Sequence, residues 1–493
     1  MKIHILFLSL GIFFSTTLFT QDVIIDALVQ ETLTEWQIPG LALAIVKNGK
    51  RLKVAGYGVR ARGENASVDD HTLFQLCSLT KSFTASAISM LVDEGMLDWE
   101  RPIIEYIPTF RLKDSFATQK MTLIDLLSHK TGLPGVSKQS RRLWYHTDRS
   151  TDELICRLRN LEFAFPFRSH FTYNHMSCVL AAKVLEKVTG MPWSRFCREK
   201  IFLPLKMLRT NTSYDDLMND DNHASPHFKP TVSEKPIRMQ NWDNIAPAVG
   251  INSCADDMAR WLLFCLERPA QQTQMPHTVF EREGLFEYLK DPGWPIFSHE
   301  QPVVNYGLGW MMYSLDNKKV LFHIGLGDGM QSIAVLVPEI GLGIVVLTNQ
   351  SPQLGAAVLL NQLLDMFLCR LPDSWPQKAR DAIAEIDRRK IQRKKELEMT
   401  RSVLPSSCAF TEYEGMYEHP AYGAIRVFLD GNNLAIEHFT HEKARLVHWG
   451  GDTFKIDGIF SLESWLVRFL VSSDRLFSLE MGEMGIFVRK NCL

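Results

Sequence analysis

The sequence lacks a charge excess of either sign: 54 Lys and Arg stand against 56 Asp and Glu, a formal net charge of -2. A nucleic-acid or acidic-surface partner is therefore not expected, because such partners leave a basic excess. No Cys-x-x-Cys pair, no His-Glu-x-x-His and no Cys/His cluster with zinc spacing occurs, so nothing points to a metal or other cofactor. Gly325, Gly327 and Gly329 are not followed by Gly-Lys-Ser/Thr and no βαβ pattern surrounds them, which argues against a phosphate loop. Fixed-period repeats and low-complexity tracts are missing. The nine cysteines are odd in number and scattered, and several (Cys156, Cys178, Cys265) fall within helix-like apolar patterns, so they read as buried thiols. Beyond the N-terminus no run approaches the roughly 18 apolar residues of a transmembrane helix.

What is present is a globular composition, 46% hydrophobic over 493 residues, long enough for two or three units. Met1-Lys-Ile-His4 precedes an apolar run from Ile5 to Phe19 and then polar Gln21-Asp22. A short apolar run behind a positive charge has the form of a signal peptide over residues 1–20, with an uncleaved interfacial anchor as the alternative. The mature protein is then expected in the periplasm or secreted, with no stable membrane span.

Leu41 to Val46 and Arg51 to Tyr57 flank Asn48-Gly49, the dipeptide that best tolerates positive φ in a tight turn, and predict an antiparallel hairpin. Ser82 to Glu94 carries Phe83, Ala87, Ile88, Leu91 and Val92 at helical spacing, with Gly95 as a left-handed C-cap. Thr122-x-x-Asp125 has the form of a capping box opening a helix from Leu123 to His129, ended by Gly132. Strand patterns return at Val320–Ile324, Ser332–Val337 and Leu342–Thr348. A hairpin, a long helical region and a terminal meander predict an α+β fold, in which one antiparallel sheet is assembled from both chain ends and flanked by helices.

Between Pro376 and Thr400 a charged helical stretch places Ala379, Ile383, Ile386 and Ile391 on one face. Its clusters Arg388-Arg-Lys390 and Arg393-Lys-Lys395 are interleaved with acidic residues, as in a solvated helix rather than an anionic-surface site. From about Phe410 short strands alternate with turn signals such as Asp430-Gly-Asn432, predicting a small all-β sandwich or barrel. The expected division is a leader at 1–20, a main domain at 21–370, a charged helical linker at 371–405 and a β domain at 406–493.

Ser78-Leu-Thr-Lys81 opens the first helix, and three-residue spacing sets the hydroxyl and the amine on one face a turn apart. A serine hydroxyl is a poor nucleophile at neutral pH. A desolvated amine beside it can be neutral and accept its proton, while the helix N-terminus favours developing negative charge.

The surrounding text, Leu73-Phe-Gln-Leu-Cys-Ser-Leu-Thr-Lys-Ser-Phe-Thr-Ala85, resembles the nucleophile segment of the penicillin-binding and class C β-lactamase-like serine hydrolases. Similar segments follow in family order: Leu126-Leu-Ser-His-Lys-Thr-Gly-Leu-Pro134, Phe171-Thr-Tyr-Asn-His175, Ile201-Phe-Leu-Pro-Leu-Lys-Met207, Pro247-Ala-Val-Gly250 and Tyr306-Gly-Leu-Gly-Trp310. The resemblance spans roughly residues 41 to 349 and implies a β-lactamase/transpeptidase-like fold with an appended β domain.

By that resemblance Ser78 attacks an amide or ester carbonyl, and Lys81 and Tyr173 share its proton as one coupled base. The backbone N–H groups of Ser78 and Leu326 form the oxyanion hole. His175 occupies the place where the family has asparagine, which leaves substrate preference open and keeps alive a second reading: a catalytically weakened binding or structural module on the same fold. His323-Ile-Gly325 matches the family's third motif, with Gly325 letting a substrate backbone approach the strand. A partly protonated histidine suits the carboxylate of a β-lactam less well than a permanent lysine charge, so esters and peptides are favoured. The expected partner is a small-molecule or peptide substrate; nothing in the sequence sets an oligomeric state or the role of the β domain.

Overall fold

The protein is described by a computed structural model over residues 21–136, 143–145, 147–267, 273, 278–281, 294–300, 303–437, 443–457, 465–471 and 477–490. The expected leader at 1–20 lies outside the described residues. Two compact units emerge, and they interleave in sequence: one comprises residues up to Arg101, Thr122–Ser128 and Ser177–Glu385, the other Pro102–Met121, His129–Met176 and Ile386–Leu493.

The first unit is built on an eight-stranded antiparallel sheet. Its strands are β1 (Gly40–Lys47), β2 (Lys50–Gly58), β3 (Thr278–Glu281), β4 (Val303–Tyr306), β5 (Met311–Leu315), β6 (Lys318–Leu326), β7 (Gln331–Val337) and β8 (Leu342–Thr348). The spatial order is β2-β1-β8-β7-β6-β5-β4-β3, so the early hairpin pairs with the last strand of the sheet, Leu41 facing Thr348. The hairpin turns where the sequence predicted it, with Asn48 at φ 49° and Gly49 at φ 74°. Unbroken burial along β7 and β8, rather than alternation, reflects a sheet centre covered on both faces.

Helix α1 (Thr80–Asp93) is buried along almost its whole length, and Gly95 at φ 70° closes it. Its Phe83 ring stacks at 3.7 Å on Trp261 and meets Phe202 edge-on at 6.0 Å. Trp261 belongs to α4 (Ala255–Glu267), which packs on β1 and β8, so α1 is braced against the sheet through an aromatic cluster. Helix α2 (Leu123–Leu127) carries the expected capping box between Thr122 and Asp125. It ends before His129, which takes φ 59°. Helix α3 (His175–Thr189) follows Asn174, whose Oδ1 accepts the Met176 N–H at 2.7 Å as an N-cap. Helix α5 (Gly355–Phe367) packs on β8.

Helix α6 (Trp375–Met399) is the charged stretch anticipated from the sequence. Only Trp375, Ala379 and Ala382 are buried on it, and Ile391 is exposed, because its last turns have no apolar surface to cover. No helix among the described residues is long and apolar enough to cross a membrane. The thiols are also not uniformly buried: Cys77, Cys178, Cys197, Cys254 and Cys265 are, whereas Cys156 and Cys369 are exposed.

In the second unit, the C-terminal residues form a closed eight-stranded barrel. It runs β9 (Gly415–His419), β10 (Gly423–Asp430), β11 (Asn433–Glu437), β12 (Lys443–Gly450), β13 (Thr453–Asp457), β14 (Trp465–Val471), β15 (Phe477–Glu480) and β16 (Ile486–Arg489). Pairing of Tyr417 with Arg489 closes the ring. Tyr413, Tyr417, Phe454, Phe469 and Phe477 pack together in it, with ring centroids 4.5 to 5.8 Å apart. The interior is thus a side-chain core.

Candidate active site

Ser78 sits on a single 3-10 turn, Cys77–Leu79, immediately before α1. Cys77 holds φ 50°, a left-handed conformation that costs a β-carbon-bearing residue of order 1 kcal/mol or more and persists only when its surroundings enforce it. The surroundings do so through β6 and β7. Ser332 Oγ donates to Leu76 O at 2.6 Å, and Leu76 N–H donates to Ile251 O at 2.8 Å. Gly325 presents a bare Cα where a Cβ would collide with Leu76 O and Ser332 Oγ, and a Cβ on Gly327 would lie 2.6 Å from Cys77 Sγ. The room at Gly325 is therefore taken by the protein's own turn, where the sequence suggested room for a substrate backbone.

Lys81 is fully buried, and its Nζ lies 3.2 Å from Ser78 Oγ and 3.0 Å from Ala248 O. Burial pulls the ammonium pKa from 10.5 to about 8. The Cys77 and Cys178 thiols are pushed up by burial, Cys77 to about 12 and Cys178 to about 11, so neither is ionised at neutral pH.

Two of the family-like segments explain how the lysine is held. The short helix Ala246–Val249 supplies the Ala248 carbonyl, and the preceding Pro247 O accepts from Thr84 Oγ1 at 2.6 Å. Gly309, at φ 81°, leaves space for Lys81 O, which a Cβ there would approach to 2.6 Å. The carbonyl acceptor was invisible in the sequence because a backbone oxygen has no side-chain signal; only the Pro-Ala-Val-Gly match marked its place.

His323 is fully buried on β6. Its Nδ1 lies 3.0 Å from Ile324 O and its Nε2 3.3 Å from Tyr306 OH. A carbonyl can only accept, so Nδ1 carries the proton and Nε2 accepts from the phenol. Desolvation first, then the Lys81 charge, lower the imidazole pKa from 6.5 to about 3. The ring is neutral, which corrects the expectation of partial protonation. Tyr306, marked in the sequence only by its motif, is its partner.

A stability consequence follows from the sign of that shift. With the folded pKa below the unfolded one, the unfolded chain binds more protons between about pH 3 and 6.5, and stability falls as pH drops through that window, by at most ~1.4 kcal/mol per pH unit. His323→Gln should flatten the dependence of the unfolding temperature on pH between 6.5 and 4; an unchanged slope would show that His323 is not its source.

Strand β6 outruns β5, whose pairing with it stops at Met311 opposite Phe322. Residues 323–326 thus run on past the end of that pairing. Gly327 N–H donates to Met330 O at 2.9 Å, closing the turn that leads from β6 into β7. Backbone alternation then turns the polar groups of Gly325 toward β7 and those of Ile324 and Leu326 toward the open edge.

Tyr173, Asn174 and His175 lie in the second unit. Tyr173 O accepts from Val136 N–H at 2.7 Å, and its ring sits 4.6 Å from His129 and 5.8 Å from His175. His175 is buried and lies 4.8 Å from the Trp144 ring at 32°. Asn174 is committed to structure: besides capping α3 it donates to Pro134 O. Among the described residues no group of three or more His, Cys, Asp or Glu is arranged to hold a metal ion.

Such a sheet, with a Ser-x-x-Lys turn and a run of helices inserted between its second and third strands, defines a β-lactamase/transpeptidase-like fold. The chain belongs to the β-lactamase family, a family of serine hydrolases, whose sequence profile matches residues 25–365. Residues 401–486 match a domain of unknown function, DUF3471. The chain is 26% identical over 466 residues to the unguisins hydrolase ungD of Aspergillus violaceofuscus, covering 86% of this chain and 81% of that one. It is 24% identical over 330 residues to protein flp of Staphylococcus aureus, covering 66% and 62%. Its fold is similar to an octameric penicillin-binding protein homologue from Pyrococcus abyssi, with TM-score 0.59, 21% identity and coverage of 94% and 99%. A class C β-lactamase from Rhodobacter sphaeroides aligns with TM-score 0.56 and 20% identity over 70% of this chain and 99% of that one.

Proposed function

We propose that this chain is a serine hydrolase that cleaves an ester or peptide amide through an acyl-enzyme on Ser78. The observation that carries this reading is the buried Lys81 Nζ at 3.2 Å from Ser78 Oγ, its pKa drawn to about 8. At neutral pH roughly a tenth of such an amine is uncharged and able to accept a proton. Ser78 Oγ attacks the carbonyl carbon as its proton passes to Lys81, with Tyr173 as the coupled acceptor by family likeness. The proton returns to the leaving group, and water then releases the acyl chain by the same route in reverse. Leu326 N–H, at the open edge of β6, and Ser78 N–H are the proposed donors to the oxyanion. The likeness to a hydrolase over most of the chain favours catalysis over a binding module.

A neutral His323 offers no positive charge to a β-lactam carboxylate, which supports the preference for esters and peptides. A fluorophosphonate or a penicillin-type probe should form an adduct on Ser78 that Ser78→Ala abolishes. The labelling rate should rise about tenfold per pH unit and level off above pH ~8, where Lys81 is neutral. No adduct with either probe, or a rate flat across pH 6 to 8, would overturn the assignment. Faster turnover of a chromogenic cephalosporin than of a nitrophenyl ester would overturn the substrate preference.

A further inference from the structure

The C-terminal barrel and the Tyr173 segment belong to one compact unit, and Arg149 lies between them. Arg149, whose side chain is 9% exposed, spreads its guanidinium between two carbonyls: Nη1 donates to Leu143 O at 3.2 Å and Nη2 donates to Tyr422 O in the loop between β9 and β10. The next residue after Leu143 is Trp144, which lies against His175, and the His175 ring meets Tyr173 edge-on. Gly423, at φ 90°, completes the fit from the barrel side, since a Cβ there would run into Arg149 Nη2. Arg157 also grips this loop, at Pro420 O (3.3 Å) and Ala421 O (3.2 Å), helped by Asn160 on Pro420 O. Both arginines share Glu153 on the helical stretch 151–160, Arg149 Nε at 3.6 Å and Arg157 Nη2 at 2.8 Å from its Oε1, but of the two it is Arg149 that reaches Leu143 O, so comparing them isolates the contact with the Trp144 segment from docking of the barrel loop.

We infer that Arg149 is a positioning residue through which the barrel loop 419–423 fixes Trp144 and, through it, the His175 and Tyr173 rings. This rests on the reading of Tyr173 as part of the base. The barrel then serves the hydrolase chemistry from outside it, by holding the proton acceptor in register rather than by touching substrate. A planar fork suits the task, because it ties two carbonyls at once with fixed spacing, which a lysine ammonium does not reproduce.

The test compares Arg149→Met with Arg157→Met in the full chain, with two readouts: the rate of Ser78 labelling by a fluorophosphonate, and backbone amide exchange over residues 143–145 and 173–178. Arg149→Met and Arg149→Lys should slow labelling about tenfold and speed exchange in both segments. Arg157→Met should lower the unfolding temperature while leaving both readouts within twofold of wild type. Gly423→Ala, changed in the barrel alone, should reproduce the Arg149→Met labelling defect. Equal effects of the two methionine variants, or unaltered exchange at 173–178 in Arg149→Met, would overturn the coupling. A wild-type protein that fails to label removes the hydrolase reading, and the exchange comparison then decides the coupling alone.

Discussion

Lys81→Met is expected to abolish acylation of Ser78 and, at neutral pH, to stabilise the protein. The loss of rate should be on the order of 10^3-fold, since Lys81 Nζ lies at hydrogen-bond distance from Ser78 Oγ and is the group proposed to take its proton. The gain comes from removing a buried charge. Holding Lys81 below its ordinary pKa costs ~3 kcal/mol at pH 7, and stranding Ala248 O without its donor takes back ~1 kcal/mol. Methionine fills nearly the same volume without a charge, so the net is a rise of about 2 kcal/mol. The pH signature is specific. The cost is fully present below pH ~8, where the folded lysine is charged, and disappears as pH rises toward 10.5, where the unfolded chain also loses its proton. Wild type should therefore gain stability between pH 8 and 10 while Lys81→Met does not, and thermal unfolding at pH 7 and pH 10 measures the difference. A variant less stable than wild type at pH 7 would mean that the lysine's hydrogen bonds outweigh its desolvation.

Gly325→Ala is expected to disable the site from a residue with no reacting atom. The added methyl group enters the space of Leu76 O and Ser332 Oγ, and the first of these is backbone that cannot swing aside. The turn carrying Ser78 has to move, and a displacement of ~1 Å costs about 10^2-fold in rate. Overpacking of this kind lowers stability by about 1–3 kcal/mol. Far-UV circular dichroism close to wild type, with Ser78 labelling slowed a hundredfold, is the expected pair of results. Labelling at the wild-type rate would show that β6 does not hold the nucleophile turn.

The elements legible in the sequence are those written by local rules. Asn48-Gly49 marks the hairpin because few other dipeptides take two consecutive positive φ values, and Thr122 with Asp125 marks α2 because both capping contacts lie within one turn. The Ser78–Lys81 pair is legible for the same reason: three residues apart on a helix is a distance. What the sequence hides is set by partners far along the chain. Cys77 has no preference for φ 50°; β6, more than two hundred residues later, imposes it. The neutrality of His323 depends on burial beside Lys81, and its tautomer on Tyr306 and Ile324 O, none of which a strand pattern specifies. Strands β9 and β16, which close the barrel, escape the strand pattern because Met416, Ile486 and Val488 face outward and blur the alternation that marks the other strands. Ile391 misleads in the opposite direction, since helical spacing alone does not say whether anything packs on the face it marks.

The stretch of β6 that runs past its pairing with β5, residues 323–326, is short, and its length has a consequence for association as well as for binding. A long bare strand edge recruits any other bare edge, including that of a second copy of the same sheet. Here the flanking part of β6 is already paired with β5, so only one stretch of extended chain fits before it meets folded protein. An inhibitor shaped like a bound substrate should accordingly be a short extended segment, and lengthening it along the strand should bring no further affinity. The same limit, with residues 323–325 buried, leaves this end of β6 no template for fibre growth.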